Sequence, residues 1–260
     1  MSIEKENVIL SSIIKNKHGF SKRTGGVSTG VFESLNLGIN RGDEKENVIK
    51  NYDIFLDACG ISEKAFMCGN QVHKAYVHVA DISEARPAYG EGKVVEADGF
   101  VTKEKNLPLV IFTADCVPVL LEDTDAGVIG AVHCGWRSTA LDIEKNAIEK
   151  MEGLGANPIN IHAAIGPAID RCCFEVGPEV IEAMDALIGD ARSFYDKKDN
   201  GKYMLDLRGV VKERLVQLGV KPENIEITGP CTMCNPENFW SHRFTGGARG
   251  SQASVISMEN

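Results

Sequence analysis

Residues 109–139 read LVIFTADCVPVLLEDTDAGVIGAVHCGWRST, and the rest of the chain is organised around this stretch. Val117 to Leu121 is apolar and β-prone, Glu122 to Gly127 is turn-forming, and Val128 to Val132 is apolar again. Two such runs around a polar turn spell a buried β-hairpin. With the turn centred between Thr124 and Asp125, Cys116 falls directly across from His133. Opposed side chains of an antiparallel pair have Cβ atoms roughly 4.5–5.5 Å apart, whereas a slip of one residue turns one of the two to the other face. A thiolate beside an imidazole begins either a zinc site or a Cys–His nucleophile pair. A buried cysteine next to a histidine satisfied by backbone is the plainer reading.

The totals bound what such a hairpin can belong to. At 260 residues, 43% hydrophobic and 25% charged, the composition is that of a globular protein with a sizeable core. A formal charge of −9 speaks against broad binding to nucleic acid or anionic membranes. No apolar run approaches the roughly 20 residues that span a bilayer. MSIEKENVIL carries acidic residues where an export signal has basic ones. The eight cysteines are therefore expected as reduced thiols in a cytoplasm rather than as a disulfide framework.

On the N-terminal side, Val8 to Ile14 reads as a strand and Asp43 to Cys59 as a helix stopped by Gly60. Between them lies a Gly/Ser/Thr-rich loop, residues 18–38. There Arg23 and successive N–H groups form a candidate anion site, against the plainer reading of a surface loop. Met67 to Val79 reads as a strand with His73 at its start beside Gln71, while His78 falls on the opposite face. Residues 85–96 read as a loop, and short strands are expected near 97–101 and at 109–113. After His133, Ser138 or Thr139 is the natural N-cap of a helix whose N-terminus, with Arg137, favours an anion. Further elements are a strand at 159–165, helices at 178–188 and 206–218, a strand at 225–228 and a C-terminal strand. Strands alternate with helices but also pair in hairpins, which predicts one α/β domain over residues 1–260 with a mixed sheet.

Two sets of cysteines and histidines carry chemistry. His73, Cys116 and His133, each near a strand end, supply the N, S and N donors of a catalytic zinc site with an open fourth position. The competing chemistry makes Cys116 a nucleophile with a histidine base. Pro230-Cys231-x-x-Cys234 is half of the zinc deaminase signature, but no histidine is followed two residues later by glutamate. Cys172 and Cys173 are contiguous and lack the spacing of a second ligand pair, so the segment reads as a strand-end turn with buried thiols.

The blocks NQVH at 70–73, ADGFVT at 97–102, TADCVPVLL at 113–121, AVHCGWRS at 131–138, AAIGPAI at 163–169, CCFEVG at 172–177 and SHR at 241–243 resemble the successive signatures of one bacterial family. It is the family named for a laccase-like or polyphenol-oxidase activity and described as zinc-dependent purine nucleoside phosphorylases that also deaminate adenosine. The resemblance runs from RTGG at 23–26 to the C-terminus. It implies a layered α/β sandwich with mixed β-sheets flanked by helices, likened to cysteine-hydrolase toxins. It also implies Zn²⁺ held by His73, Cys116 and His133, with copper as the alternative metal.

The implied reaction is phosphorolysis of adenosine, inosine, guanosine or methylthioadenosine, with adenosine deamination beside it. The partners are then a small-molecule nucleoside and phosphate, with no nucleic acid and no membrane, and a monomer or weak dimer. Arg23, Gln71, Arg137 and Arg243 are the candidate substrate contacts. Asp115, beside the ligand cysteine, is read either as orienting a ligand or as structural. Two departures stand out: Lys74 follows the histidine where glycine is usual, and Phe244 and Thr245 follow Arg243 where a second arginine and an aspartate are usual. Rival readings are a copper polyphenol oxidase, which six scattered histidines poorly supply, a metal-free cysteine amidase acting on cell-wall peptides, and a non-catalytic zinc-stabilised binding module.

Overall fold

The computed structural model describes residues 3–92 and 94–259; Lys93, within the loop expected at 85–96, lies outside them. Along the chain run β1 (Ile3–Glu4), β2 (Val8–Leu10), β3 (Lys17–Ser21), α1 (Lys45–Ala58), β4 (Val77–Val79), β5 (Gly99–Thr102), β6 (Leu109–Thr113), β7 (Val117–Asp123) and β8 (Val128–Cys134). There follow α2 (Trp136–Ala140), α3 (Ile143–Gly153), β9 (His162–Ile165), β10 (Glu175–Val176), α4 (Pro178–Ile188), β11 (Tyr195–Lys197) and β12 (Tyr203–Leu205). The last elements are α5 (Leu207–Gln217), β13 (Ile225–Ile227), α6 (His242–Thr245) and β14 (Gln252–Ser257). Short 3-10 turns occupy several connections.

The alternation of side chains along β6, β7 and β8 explains the layers. Leu109 and Ile111 face one way and Val110 the other, and all three are fully buried. In β7, Val117, Val119 and Leu121 point to one core while Leu120 points to a second, and Val128 and Val132 of β8 oppose Ile129 and Ala131 in the same way. Both sheets are thus apolar on both faces, which requires cover on each side. A five-stranded antiparallel sheet, β1-β2-β3-β14-β6, lies against a six-stranded mixed sheet, β13-β9-β7-β8-β5-β4. Helix α1 covers the outer face of the first through Val48, Tyr52, Phe55 and Leu56. Helices α3, α4 and α5 cover the outer face of the second. A small antiparallel sheet, β10-β12-β11, flanks them. The architecture is the layered α/β sandwich expected from the sequence.

The hairpin at the centre forms, with its turn one residue later than the pattern places it. Pro118, not Cys116, pairs with His133, and Val117 pairs with Cys134. The Asp123 carboxylate accepts the N–H groups of Asp125 and Ala126 at 3.0 and 3.1 Å, drawing Glu122 and Asp123 into the strand. Gly127 closes the turn at φ 62°, a conformation that L side chains adopt at a cost. The shift moves the partner by two positions, so Cys116 and His133 keep the same face and become diagonal neighbours.

Other boundaries differ for local reasons. The strand expected over 8–14 ends at Leu10, because the buried Glu122 carboxylate accepts the backbone N–H of Lys15 at 2.7 Å and of Asn16 at 3.0 Å and curls the chain into β3. Neither Ser138 nor Thr139 caps the next helix: Gly135 is the N-cap of α2, and a left-handed Asp142 starts α3. Helix α4 spans the expected residues, with Pro178 in its first turn and Gly189 at φ 86° beyond its end.

Burial of Glu144, in the first turn of α3, lifts its carboxyl to about 8. In the unfolded chain it ionises near 4.5, so the folded state binds the extra proton between those values and stability falls as pH rises through them. Glu144→Gln abolishes this dependence. Relative to the wild type, the variant is expected to gain ~3 kcal/mol on going from pH 4 to pH 7, read from urea unfolding at the two pH values. Parallel pH profiles for the two proteins would contradict the assignment.

Candidate metal centre

Cys116 immediately precedes β7, and His133 sits one residue from the end of β8 on the face turned toward the other sheet. His73 comes from further away. The strand expected over 67–79 forms only at Val77–Val79, and His73 lies ahead of it in a turn at φ 59°. Left-handed backbone at a non-glycine residue costs of order 1–3 kcal/mol and persists only where its surroundings enforce it. Here the enforcing group is Asp98, wholly buried just before β5, whose carboxylate accepts the N–H groups of Val72, His73 and Lys74 at 3.1, 2.9 and 2.9 Å.

The same carboxylate accepts Nδ1–H of His133 at 2.8 Å. That bond makes Nδ1 the donor to Asp98 and leaves Nε2, once its proton is lost, as the ring nitrogen that can bind a metal ion. Burial opposes ionisation of Asp98, but His133 and the backbone N–H groups hold it below its ordinary value. One aspartate therefore sets both histidines. Sequence reasoning quoted it within ADGFVT without giving it a role, although an aspartate leading straight into the apolar run of a buried strand is a visible signal.

The donor atoms of His73, Cys116 and His133 all lie within 4.8 Å of one another. Sγ of Cys116 is 3.8 Å from Nε2 of His73, and the two imidazole rings meet edge to face with centroids 4.9 Å apart. Tetrahedral zinc with Zn–S near 2.3 Å and Zn–N near 2.0–2.1 Å separates such donors by about 3.6 Å, so the residues fit the metal. Backbone shape fits as well. A Cβ at Gly135 would stand 2.9 Å from Cδ2 of His73 and 3.2 Å from Sγ of Cys116, so the chain reaches the donors this closely only as glycine.

Burial opposes ionisation of Cys116, yet the imidazoles of His133 and His73 bring its thiol down to about 6. Burial works against protonated His133 too, and the Cys116 thiolate and Asp98 outweigh it, lifting the imidazole to about 9. Between those values the metal-free pair is a thiolate beside an imidazolium. Iodoacetamide should therefore alkylate Cys116 in chelator-treated protein with a pH midpoint near 6 and not near an ordinary thiol value; a midpoint above 8 would contradict this charge state.

Two cavities meet at these donors. The larger, about 1030 Å³, is lined by Gln71, Tyr89, Arg86 and Phe112 among others; the smaller, about 550 Å³, is walled by Trp136, Ile169, Phe174, Val176 and Leu207. His73, Cys116, Arg41 and Arg249 line both. Burial and the neighbouring Arg41 lower the affinity of Arg249 for its proton, and its buried Nε has no hydrogen-bond partner. Arg41 and Arg249 together give the shared opening of the two cavities positive charge, as an anion requires.

The expected substrate contacts divide. Arg137 and Arg243 line the smaller cavity. Arg243 is held by its own N–H on Asp115 at 2.7 Å and by its guanidinium on the Glu175 carbonyl at 3.0 Å. Arg23 lines neither cavity: it stacks 4.0 Å over Trp240 and donates to the Pro236 carbonyl, bracing its loop. Gln71 lines the larger cavity, but both ends of its amide are engaged by the backbone of Phe112 at 2.7 Å, so it pins the histidine loop to β6. Asp115, left-handed at φ 86°, accepts the Thr232 hydroxyl at 2.6 Å and so fixes the residue before Cys116. Arg41 and Arg249 were missed, because neither belongs to a recognisable motif.

His78 stays out of the centre as expected, though not through strand alternation, since His73 lies in a turn ahead of β4; it pairs with Glu84 at 2.9 Å. The PCTMC segment is a correction. Cys234 is exposed rather than buried, and Cys172 and Cys173, set aside for their contiguity, both reach it.

Residues 17–259 match the family model described as multi-copper polyphenol oxidoreductase laccase. The chain belongs to that family. It is 33% identical over 244 residues to a protein of Bacillus subtilis (strain 168) named purine nucleoside phosphorylase YlmD, covering 93% of this chain and 88% of that one. It is 37% identical to a purine nucleoside phosphorylase of Corynebacterium glutamicum, over 91% of this chain and 92% of the relative. The crystal structure of YlmD from Geobacillus stearothermophilus superposes with a TM-score of 0.90 at 28% identity, over 99% of this chain and 98% of the other. In this laccase-family chain, the match takes in both cavities and all three donors. Among the described residues no helix is long and apolar enough to cross a membrane.

Proposed function

We propose that this chain is a zinc-dependent purine nucleoside phosphorylase, acting on adenosine, inosine, guanosine or methylthioadenosine, and that it also deaminates adenosine. The observation that carries the reading is the placing of a His–Cys–His donor set at the junction of two cavities beside a converging arginine pair. A reaction between a nucleoside and phosphate needs two such subsites meeting at one point. The names of the relatives support the same chemistry.

His73, Cys116 and His133 hold the zinc, which when bound supplies a Lewis acid at the cavity junction. Arg249 and Arg41 bind and orient phosphate through bidentate donors. The apolar wall of Trp136, Phe174, Val176 and Leu207 takes the flat purine, in a volume typical of small-molecule sites. Attack of a phosphate oxygen on the ribose C1′ breaks the glycosidic bond and releases the base. Asp98 keeps the donor geometry fixed throughout. In this reading residues 1–260 form one domain that works in the cytoplasm as a monomer or weak dimer, without nucleic acid or membrane.

A copper polyphenol oxidase finds little support. His18 is bonded to the backbone of Ser11 and Asn16, His78 to Glu84, and among the described residues no second histidine cluster is present. The metal-free cysteine amidase draws on the depressed Cys116 thiol, yet a nucleophile and a metal ligand exclude each other in one state.

Product analysis separates the readings. Adenosine or inosine incubated with the enzyme is expected to yield free base and ribose 1-phosphate only when phosphate is added, with some inosine from adenosine in either case. Base release that ignores phosphate, phenol oxidation by copper-loaded protein, or amide hydrolysis abolished by thiol alkylation would each overturn the proposal.

A further inference from the structure

A second cluster of metal-binding side chains lies apart from this centre. Strands β9 and β13 are parallel neighbours, pairing Ala163 with Ile225 and Ile165 with Ile227, so their ends deliver two loops to the same place. The pairing continues past the strands through a bridge between Ala168 and Cys231, with Thr232 N–H on the Ala168 carbonyl at 3.0 Å. One loop carries Cys172 and Cys173, the other Cys231 and Cys234. All four sulfurs lie within 4.8 Å of one another.

We propose that Cys172, Cys173, Cys231 and Cys234 bind one zinc ion as a closed four-thiolate structural site. Three observations carry it. The donor set is sulfur alone, which suits zinc and leaves no ligand position open for substrate. The Cys172–Cys234 and Cys173–Cys234 separations are 3.5 and 3.3 Å. Four sulfurs each about 2.3 Å from a tetrahedral ion stand about 3.8 Å apart, whereas a disulfide requires about 2.05 Å. Finally, the Asp170 N–H points at Sγ of Cys231 from 3.4 Å, a hydrogen bond of the kind that supports a metal-bound thiolate.

The position explains what such an ion does. The Cys172–Cys173 loop leads into Phe174, Glu175 and Val176, which wall the smaller cavity. The other loop carries Thr232, whose hydroxyl holds Asp115 beside Cys116. Arg208 ties the same two loops again, donating to the Gly229 carbonyl at 2.9 Å and pairing with Asp170. The ion clips the two loops together and so sets the wall of one cavity and the position of Asp115 beside Cys116. The inference is independent of the nucleoside chemistry.

The test empties the first centre and asks what remains. Elemental analysis of holoprotein grown with zinc is expected to give two zinc ions per chain, and the His73→Ala/Cys116→Ala double variant one. X-ray absorption of that remaining zinc should show sulfur neighbours only, at about 2.3 Å. Adding Cys234→Ser, a change at an exposed ligand, is expected to remove it. If the double variant does not fold, Cys234→Ser alone should take the wild type from two zinc ions to one. A folded double variant without zinc, nitrogen in its metal shell, unchanged zinc in the Cys234→Ser protein, or a Cys172–Cys234 or Cys173–Cys234 disulfide in non-reduced peptide maps would each overturn the assignment.

Discussion

Replacing Cys116 with alanine is expected to lower kcat/KM for inosine phosphorolysis by on the order of 10³-fold, the loss of several kcal/mol of Lewis-acid assistance. Cys116 is the only anionic donor of the three, and its charge holds His133 protonation at about 9 in the metal-free protein. Without the thiolate two imidazoles remain, and the ion is held by neither charge nor a soft ligand. The fold should survive, because Cys116 lies ahead of β7 and its partners in the sheet interior are untouched. The paired measurements are zinc at the His–Cys–His centre and turnover with saturating phosphate. A Cys116→Ala protein that keeps both would eliminate the proposed function.

Asp98→Asn should do comparable damage without touching a ligand. One carboxylate oxygen accepts from His73 N–H at 2.9 Å and His133 Nδ1–H at 2.8 Å; the other accepts from Val72 and Lys74 N–H at 3.1 and 2.9 Å. An amide presents an NH₂ to one of these donor pairs whichever way it is turned. Two donors, at least one of them only part-buried, then lose their acceptor, costing about 1–3 kcal/mol of stability. Loss of the group that orients a ligand histidine should weaken zinc binding by about 10–100-fold. Chelator competition reads the second effect and urea unfolding the first. Unchanged zinc affinity in Asp98→Asn would show that the carboxylate serves the turn alone.

What the sequence disclosed follows from range. Continuous apolar runs at 109–113 and 117–121 announced buried strands, and the 48-52-55-56 spacing announced α1, because both signals are local. The sandwich, and the meeting of His73, Cys116 and His133 at one place, were legible through motif blocks and through parity, since a register error of two leaves Cys116 and His133 on one face. The turn at His73 was not legible, because its left-handed backbone is imposed by Asp98, 25 positions away. Strands β10, β11 and β12 are two or three residues long, too short for any period to declare itself. Arg41 and Arg249 converge only after the chain has closed, and contiguous cysteines gave no spacing from which a partner loop is readable.

Strand β14 occupies an interior place in the five-stranded sheet, hydrogen-bonded to β3 on one side and β6 on the other. During synthesis on the ribosome, both neighbours wait with bare edges until residue 257 has emerged. Once β6 is complete at Thr113, the nascent chain therefore carries two strands that still lack the neighbour they share. Closure of the five-stranded sheet waits on β14, the last strand in the order of the described residues.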